Sequence, residues 1–253
     1  MRAGVVLPTF RTTPDGALAA ADAAVGAGVD GLFCYDHFWP MGQPERPALA
    51  PFPLLGALAS RLHPRPDGAP GPFLGTLVAR VGLVPNAVLA AEFGALDRLA
   101  PGRVIAGLGT GDGLSAQENR AYGIPFPPAA ERRAELVALA LELVAAGITV
   151  WVAGGPAGRT DETRAAGAVL NVWDSDPALI AERSAGRDGV EVTWSGPPPE
   201  SAGAMAETVQ VVGEAGATWA VFGWPVDVAA LATAAHAVSP LSSSGRPIVG
   251  RGG

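Results

Sequence analysis

The sequence predicts an α/β protein built as a closed (β/α)8 barrel, the TIM barrel. Apolar runs of strand length, each followed by a stretch of helical composition, recur about eight times. No antiparallel hairpin signal interrupts the alternation. The chain of 253 residues, 49% of them apolar, supplies a core of the size such a barrel needs as one unit. On the alternation alone an open doubly wound sheet is the alternative. Residues 1–240 read as a single barrel domain and the Ser/Gly-rich residues 241–253 as a flexible tail.

Taken in order, AGVVLP from Ala3 is a short apolar strand, and Asp15 to Gly26 is an alanine-rich helix with Pro14 suited to its first turn and Gly28 to end it. VDGLFCY is the second strand, leading into Asp36-His37-Phe38-Trp39-Pro40, and Pro51 to Leu62 the second helix. FLGTLVARV from Phe73 reads as one strand, followed by a helix over Pro85 to Leu99. RVIAGLGTGDGLSAQENRAY, Arg103 to Tyr122, is a fourth strand that breaks into a loop carrying Gly107, Gly109, Gly111 and Asp112. These glycines give the backbone freedom that a closely packed ligand would need. Pro128 to Ala145 is the best amphipathic helix, with Leu136, Leu139, Leu143 and Val144 at helical spacing. Four further units follow: ITVWVAG with Arg159 to Ala166, AVLNVW with Pro177 to Ala185, VEVTW with Glu200 to Ala215, and TWAVFGW with Val226 to Val238.

Composition narrows the function. A net charge of -7 argues against a nucleic-acid partner, which would require clustered positive charge. No apolar run approaches the roughly 20 residues that span a membrane, and the N-terminal apolar run is too short for a signal peptide. The single cysteine, Cys34, fits a reducing compartment, so a cytoplasmic location is expected. All 17 basic residues are arginines, which excludes a lysine Schiff base and leaves phosphate contacts to arginines, hydroxyls and backbone N–H groups.

In a barrel, function sits where strands hand over to helices. Asp36 and His37 after the second strand, Asp112 and Ser115 after the fourth, Gly154 and Gly155 after the fifth, and Asp174 after the sixth all obey that rule. An imidazole titrates near physiological pH, so His37 can give or accept a proton, and a carboxylate across the cleft could fix its tautomer. Gly154, Gly155 and Gly158 precede a helix start whose free N–H groups can hold a phosphate, with Arg159 or Arg164 adding charge. Each has a plainer reading. Asp112 and Ser115 could cap the next helix, Arg159 could be solvated, and Trp39, Trp173 and Trp194 could pack in the core rather than wall a pocket. His63 and His236 lie at helix ends without such context. Gly107 to Gly111 is not a dinucleotide fingerprint, because Asp112 stands where the third glycine would be.

Several stretches together resemble the luciferase-like monooxygenase superfamily: VDGLFCYDHF, GTLVARVGLVPNAVLAAEFGALDRLAPGRVIAGLGTGD, RAYGIPFPPAAERRAEL and VWVAGGPAGRTDETRAAGAVLNVW. Asp36-His37, Thr110-Gly111-Asp112 and Gly154-Gly155 are similar to the branch that depends on the deazaflavin coenzyme F420. The resemblance implies an F420-dependent oxidoreductase acting on a small organic substrate. His37 would lie over the deazaflavin and handle a proton. Asp112, shorter by one methylene than the Glu of many relatives, would be a second acid or a substrate-facing carboxylate. Asp36, Leu77, Val78, Ser115, Gly154, Gly155 and Arg159 would line the cofactor, Trp39 would meet substrate, and a non-prolyl cis peptide would fall near Leu77-Val78. A homodimer is implied too, and Leu54, Leu55 and Leu58 could form its face or equally lie against the barrel. The insertion that relatives carry before the fifth strand is shortened to Ala145-Ala146-Gly147, so a lid over the site would be reduced. An FMN-dependent monooxygenase, and a barrel that has lost turnover, are the alternatives.

Overall fold

The structure, a computed structural model, describes residues 1–10, 13–40, 42–62, 70–154, 160–185 and 189–238. Among them the chain runs β1 (Arg2–Val6), α1 (Pro14–Gly26), β2 (Gly31–Cys34), α2 (Pro51–Arg61), β3 (Phe73–Thr76), β4 (Ala79–Arg80), α3 (Asn86–Leu99), β5 (Val104–Gly109) and α4 (Gly113–Ala121). It continues α5 (Ala129–Ala145), β6 (Thr149–Gly154), α6 (Thr160–Ala165), β7 (Val169–Trp173), α7 (Pro177–Ser184), β8 (Val192–Gly196), α8 (Ala202–Glu214), β9 (Trp219–Gly223) and α9 (Val228–Ala237). Every strand pairing is parallel, in the order β3-β2-β1-β9-β8-β7-β6-β5-β4, and a β3–β5 pairing closes the ring. The closed barrel therefore replaces the open-sheet alternative.

Nine strands make eight staves because FLGTLVARV is not one strand. It is cut after Thr76 by a cis peptide between Leu77 and Val78. β3 pairs with β5 through Leu74 and Gly75, and β4 rejoins β5 further along through Ala79 and Arg80. α5 ends at Ala145 and β6 begins at Thr149, so the connection is as short as the sequence implies.

Local chemistry sets the helix starts. Pro14 stands at the first position of α1 behind Thr13, whose hydroxyl accepts from Gly16 N at 3.2 Å. Asp176, Ser201 and Asp227 cap α7, α8 and α9 in the same way. Gly28, at φ +88°, makes the turn from α1 towards β2 in a conformation that disfavours side chains.

The strands are buried on both faces, hence their unbroken apolar character. Outside the barrel they meet the helices through residues such as Leu32, Leu74, Leu136, Leu139, Leu143, Val209 and Phe222. Leu54, Leu55 and Leu58 belong to that layer, 8%, 0% and 0% exposed. They lie against the barrel and do not offer a dimer face. Inside, Val6, Phe33, Leu77, Ile105, Trp151, Trp219 and Val221 fill the lumen. Phe33 stacks on Trp151 at 5.0 Å, and Trp151 meets Trp219 edge-on at 5.3 Å. Arg2 lies over Phe73 and Trp219 at 5.0 and 5.4 Å, at the end where the strands begin. With the lumen filled below, an opening remains at the carboxyl ends of the strands. Among the described residues no helix is long and apolar enough to cross a membrane.

Candidate active site

That opening is a cavity of about 570 Å³ lined by Phe10, Tyr35, His37, Leu77, Val78, Arg80, Gly111, Asp112, Ser115 and Trp173. Its size falls in the range of small-molecule and cofactor sites. His37, Leu77, Val78, Asp112 and Ser115, expected from the sequence to form the site, are all brought together here. The cis peptide expected at Leu77-Val78 is present and contributes both its residues to the wall. Phe10 stacks on Tyr35 at 5.5 Å and lies 6.0 Å from the His37 ring, while Trp173 meets Tyr35 at 6.4 Å. Burial pushes the Tyr35 hydroxyl up to about 12, so it remains protonated across the ordinary pH range.

His37 is held from behind. Its Nδ1 lies 2.9 Å from Oε2 of Glu118, on the buried side of α4. The other carboxylate oxygen of Glu118 accepts from the backbone N–H of Phe38. Arg80 Nη2 stands 2.7 Å from Glu118 Oε2, a charge contact between side chains 5% and 2% exposed. The guanidinium also donates from Nε to the Asp36 carbonyl at 3.1 Å and from Nη1 to Asn119 Oδ1 at 3.3 Å, and its own backbone N–H donates to Asp36 Oδ2 at 3.0 Å. Burial would raise the Glu118 carboxyl, but the bonds from His37 and Phe38 and the Arg80 charge outweigh it and hold the group below its ordinary range. Burial dominates at the other two groups, raising Asp36 and lowering Arg80.

Asp112 is the N-cap of α4. Its Oδ1 accepts from Leu114 N at 2.9 Å and Ser115 N at 3.0 Å, and Ser115 Oγ closes a capping box on Asp112 N at 3.2 Å. Partial burial raises its carboxyl, but these hydrogen bonds, with the His37 charge, bring it below its ordinary value. Near neutral pH it is a carboxylate that can accept a proton and not donate one. Asp112 and His37 share the cavity, but the hydrogen-bonding partner of His37 is Glu118.

Other expected residues lie elsewhere. Asp36 is turned to the Arg80 backbone rather than the cavity. Trp39, 6% exposed, is stacked on Tyr122 at 5.4 Å and is not among the cavity-lining residues described. Trp194 packs on Phe222 at 5.0 Å in the outer core, leaving Trp173 as the wall residue of the three. His236 pairs with Asp30 at 2.9 Å, where the strands begin. Gly154 ends β6; Gly155, Arg159, His63 and the tail 241–253 lie outside the described residues.

The glycines of GLGTGD act differently from the sequence expectation. A Cβ on Gly107 would overlap the Thr76 carbonyl and one on Gly109 would overlap Val78, so both let β5 lie flush against the broken third stave. Only Gly111, at φ +67°, borders the cavity and uses glycine's conformational freedom.

With this geometry the known proteins can be compared. No protein-family model matches the chain. An F420-dependent glucose-6-phosphate dehydrogenase from Intrasporangium calvum is 38% identical over 111 residues, 43% of this chain, and the match spans only 31% of that relative's length. An F420-dependent secondary alcohol dehydrogenase, solved with an F420-acetone adduct, superposes with a TM-score of 0.72 at 13% identity, over 92% of this chain and 98% of that one. The oxygenating constituent of 3,6-diketocamphane monooxygenase from Pseudomonas putida, a type II Baeyer-Villiger enzyme in complex with FMN, gives 0.56 at 15% identity, over 79% and 67%. This chain shares the barrel fold of the two solved structures.

Sequence reasoning missed Glu118 and Arg80. Glu118 sits in the polar run Gln117-Glu118-Asn119, which looks like a solvated helix face. The available signal was Arg80, a lone charge in the apolar run LVARV, since a buried cation calls for a buried anion nearby.

Proposed function

We propose that the protein is an oxidoreductase that uses F420 to move a hydride to or from a small organic molecule at the barrel mouth. The observation that carries this reading is the meeting, in one cavity of about 570 Å³, of a carboxylate-held histidine with an apolar and aromatic wall. The cavity suits a flat heteroaromatic ring: Leu77 and Val78 offer an apolar surface, and Tyr35, Phe10 and Trp173 provide aromatic rings around it. These residues would hold the deazaflavin, and Ser115 and Gly154 would serve its polar tail. When bound, the cofactor supplies hydride chemistry at its ring carbon. His37 then handles the substrate proton, Asp112 faces the substrate as a carboxylate, and the aromatic wall excludes water from both. The similarity to an F420-dependent dehydrogenase over 111 residues and to an F420-dependent alcohol dehydrogenase in fold supports the reading. A cytoplasmic location agrees with the lone, buried Cys34.

The FMN-bound barrel of similar fold supports a second reading, an FMN-dependent monooxygenase built around the same cavity. Turnover separates the two. Incubation with oxidised F420 and a panel of short secondary alcohols should bleach the deazaflavin absorbance without oxygen consumption, and His37→Ala should abolish this while remaining folded by circular dichroism. Undiminished turnover by His37→Ala would remove the histidine from the reaction. Formation of an oxygenated product with reduced FMN instead would establish the second reading.

A further inference from the structure

We propose that Glu118 is a positioning residue that locks His37 as the Nδ1–H tautomer, so that the nitrogen left for the cavity, Nε2, is a bare lone pair: a base and not a hydrogen-bond donor. The orientation is carried by geometry alone; its role in turnover rests on the F420 reading.

Three groups meet the Glu118 carboxylate: the Phe38 N–H donates to Oε1, the Arg80 guanidinium lies 2.7 Å from Oε2 as a charge contact, and His37 Nδ1 is 2.9 Å from the same oxygen. A carboxylate with this surrounding is ionised, in keeping with its lowered proton affinity. An ionised carboxylate only accepts, so the hydrogen between Glu118 and His37 must belong to Nδ1. In a neutral ring the other nitrogen then carries none. The 19% of the His37 side chain that remains accessible belongs to a residue lining the cavity, whereas Glu118 behind it is 2% exposed and shut off from substrate. Arg80 supplies the charge that lets the carboxylate remain ionised while buried, and its bonds to the Asp36 carbonyl and Asn119 tie the strand-two exit to α4. Asp112 and Asp36 are the other acids near the ring, but Asp112 serves its helix cap and Asp36 the Arg80 N–H.

A bare Nε2 gives the ring the role of proton acceptor. If F420 is held by the cavity wall it would supply the hydride acceptor, while the O–H proton of an alcohol would pass to His37 Nε2 and Glu118 would stabilise the imidazolium so formed. Atoms and charge balance with the oxidised deazaflavin as hydride acceptor.

The test is a long-range 1H–15N spectrum of ¹⁵N-histidine-labelled protein without cofactor, with three histidines to assign. It is recorded at about pH 8.5, above the ordinary imidazole range. The expected result is a pyrrole-like Nδ1 and a pyridine-like Nε2 for His37. An Nε2–H tautomer, or a ring still doubly protonated, would overturn the proposal. In Glu118→Gln, whose amide can donate to Nδ1, the His37 shifts should move toward the Nε2–H tautomer, and kcat should fall at least 10-fold with KM little changed. A wholly inverted tautomer costs up to about 10⁴-fold in known carboxylate–histidine pairs. Unchanged His37 shifts in folded Glu118→Gln would also refute it. Should that variant not fold, the wild-type spectrum still decides. The spectrum needs no cofactor, so a protein that has the expected tautomer but binds no F420 would refute the F420 reading alone.

Discussion

Arg80→Met removes the guanidinium that compensates a buried carboxylate while keeping much of the side-chain volume. Arg80 is 4% exposed and touches Glu118, Asp36 and Asn119. Breaking a buried pair from one side costs about 3–5 kcal/mol, because the remaining charge is stranded. Glu118 would keep the Phe38 N–H and His37, which places the expected loss near the lower end, about 3 kcal/mol. For a chain of this size that is a fall of about 6–12 °C in Tm. Arg61→Ala, which breaks the exposed pair with Asp22, should leave Tm unchanged and serves as the control. The assay is thermal unfolding by circular dichroism across pH. The Glu118 carboxyl is held below its ordinary 4.5, so as pH falls the unfolded chain takes up the proton first. The pair's stabilisation is thus complete above about 4.5 and lost as pH drops through the lower folded value. The gap between wild type and Arg80→Met should narrow accordingly in acid. An Arg80→Met that melts with Arg61→Ala at neutral pH, or a gap that widens in acid, would refute the reasoning.

Further substitutions probe Asp112, after β5, and Gly107 within it. Asn caps a helix as well as Asp does, so Asp112→Asn should keep the wild-type Tm but lower kcat/KM, whereas Asp112→Ala should also lose about 1 kcal/mol of stability. An unchanged kcat/KM in Asp112→Asn would leave capping as the only role of this residue. Gly107→Ala sets a Cβ against the Thr76 carbonyl, which backbone cannot easily yield, and should cost about 1–3 kcal/mol or more. Gly26→Ala meets nothing within 4 Å and should be neutral or stabilising; equal denaturation midpoints for the two variants would contradict the packing assigned to β5.

The barrel was legible because parallel strands buried on both faces read as continuous apolar runs, and Pro and capping residues punctuate the helices between them. The place of the cavity was legible too, since His37, Asp112 and Ser115, which line it, follow strands. The break between Thr76 and Ala79 was not apparent as a break in the strand pattern: LVAR scans as uninterrupted strand, and the resemblance alone placed a cis bond there. For the same reason Gly107 and Gly109 looked like room for a ligand, when they are room for that broken stave. Glu118 was hidden because burial of a helix residue depends on what stands opposite. Its partners come from residues 37 and 80, far away in the chain. Trp39 and Trp194 show the limit from the other side, since a tryptophan at a strand end is equally at home in a pocket or in the core.

The measurement that tests the central claim most directly is titration of the purified protein with F420 and, separately, with FMN, followed by fluorescence quenching. The account predicts saturable F420 binding with a Kd below about 100 μM, or about −5.5 kcal/mol, and weaker binding of FMN. Failure of F420 to bind at that level, or tighter binding of FMN, would contradict it.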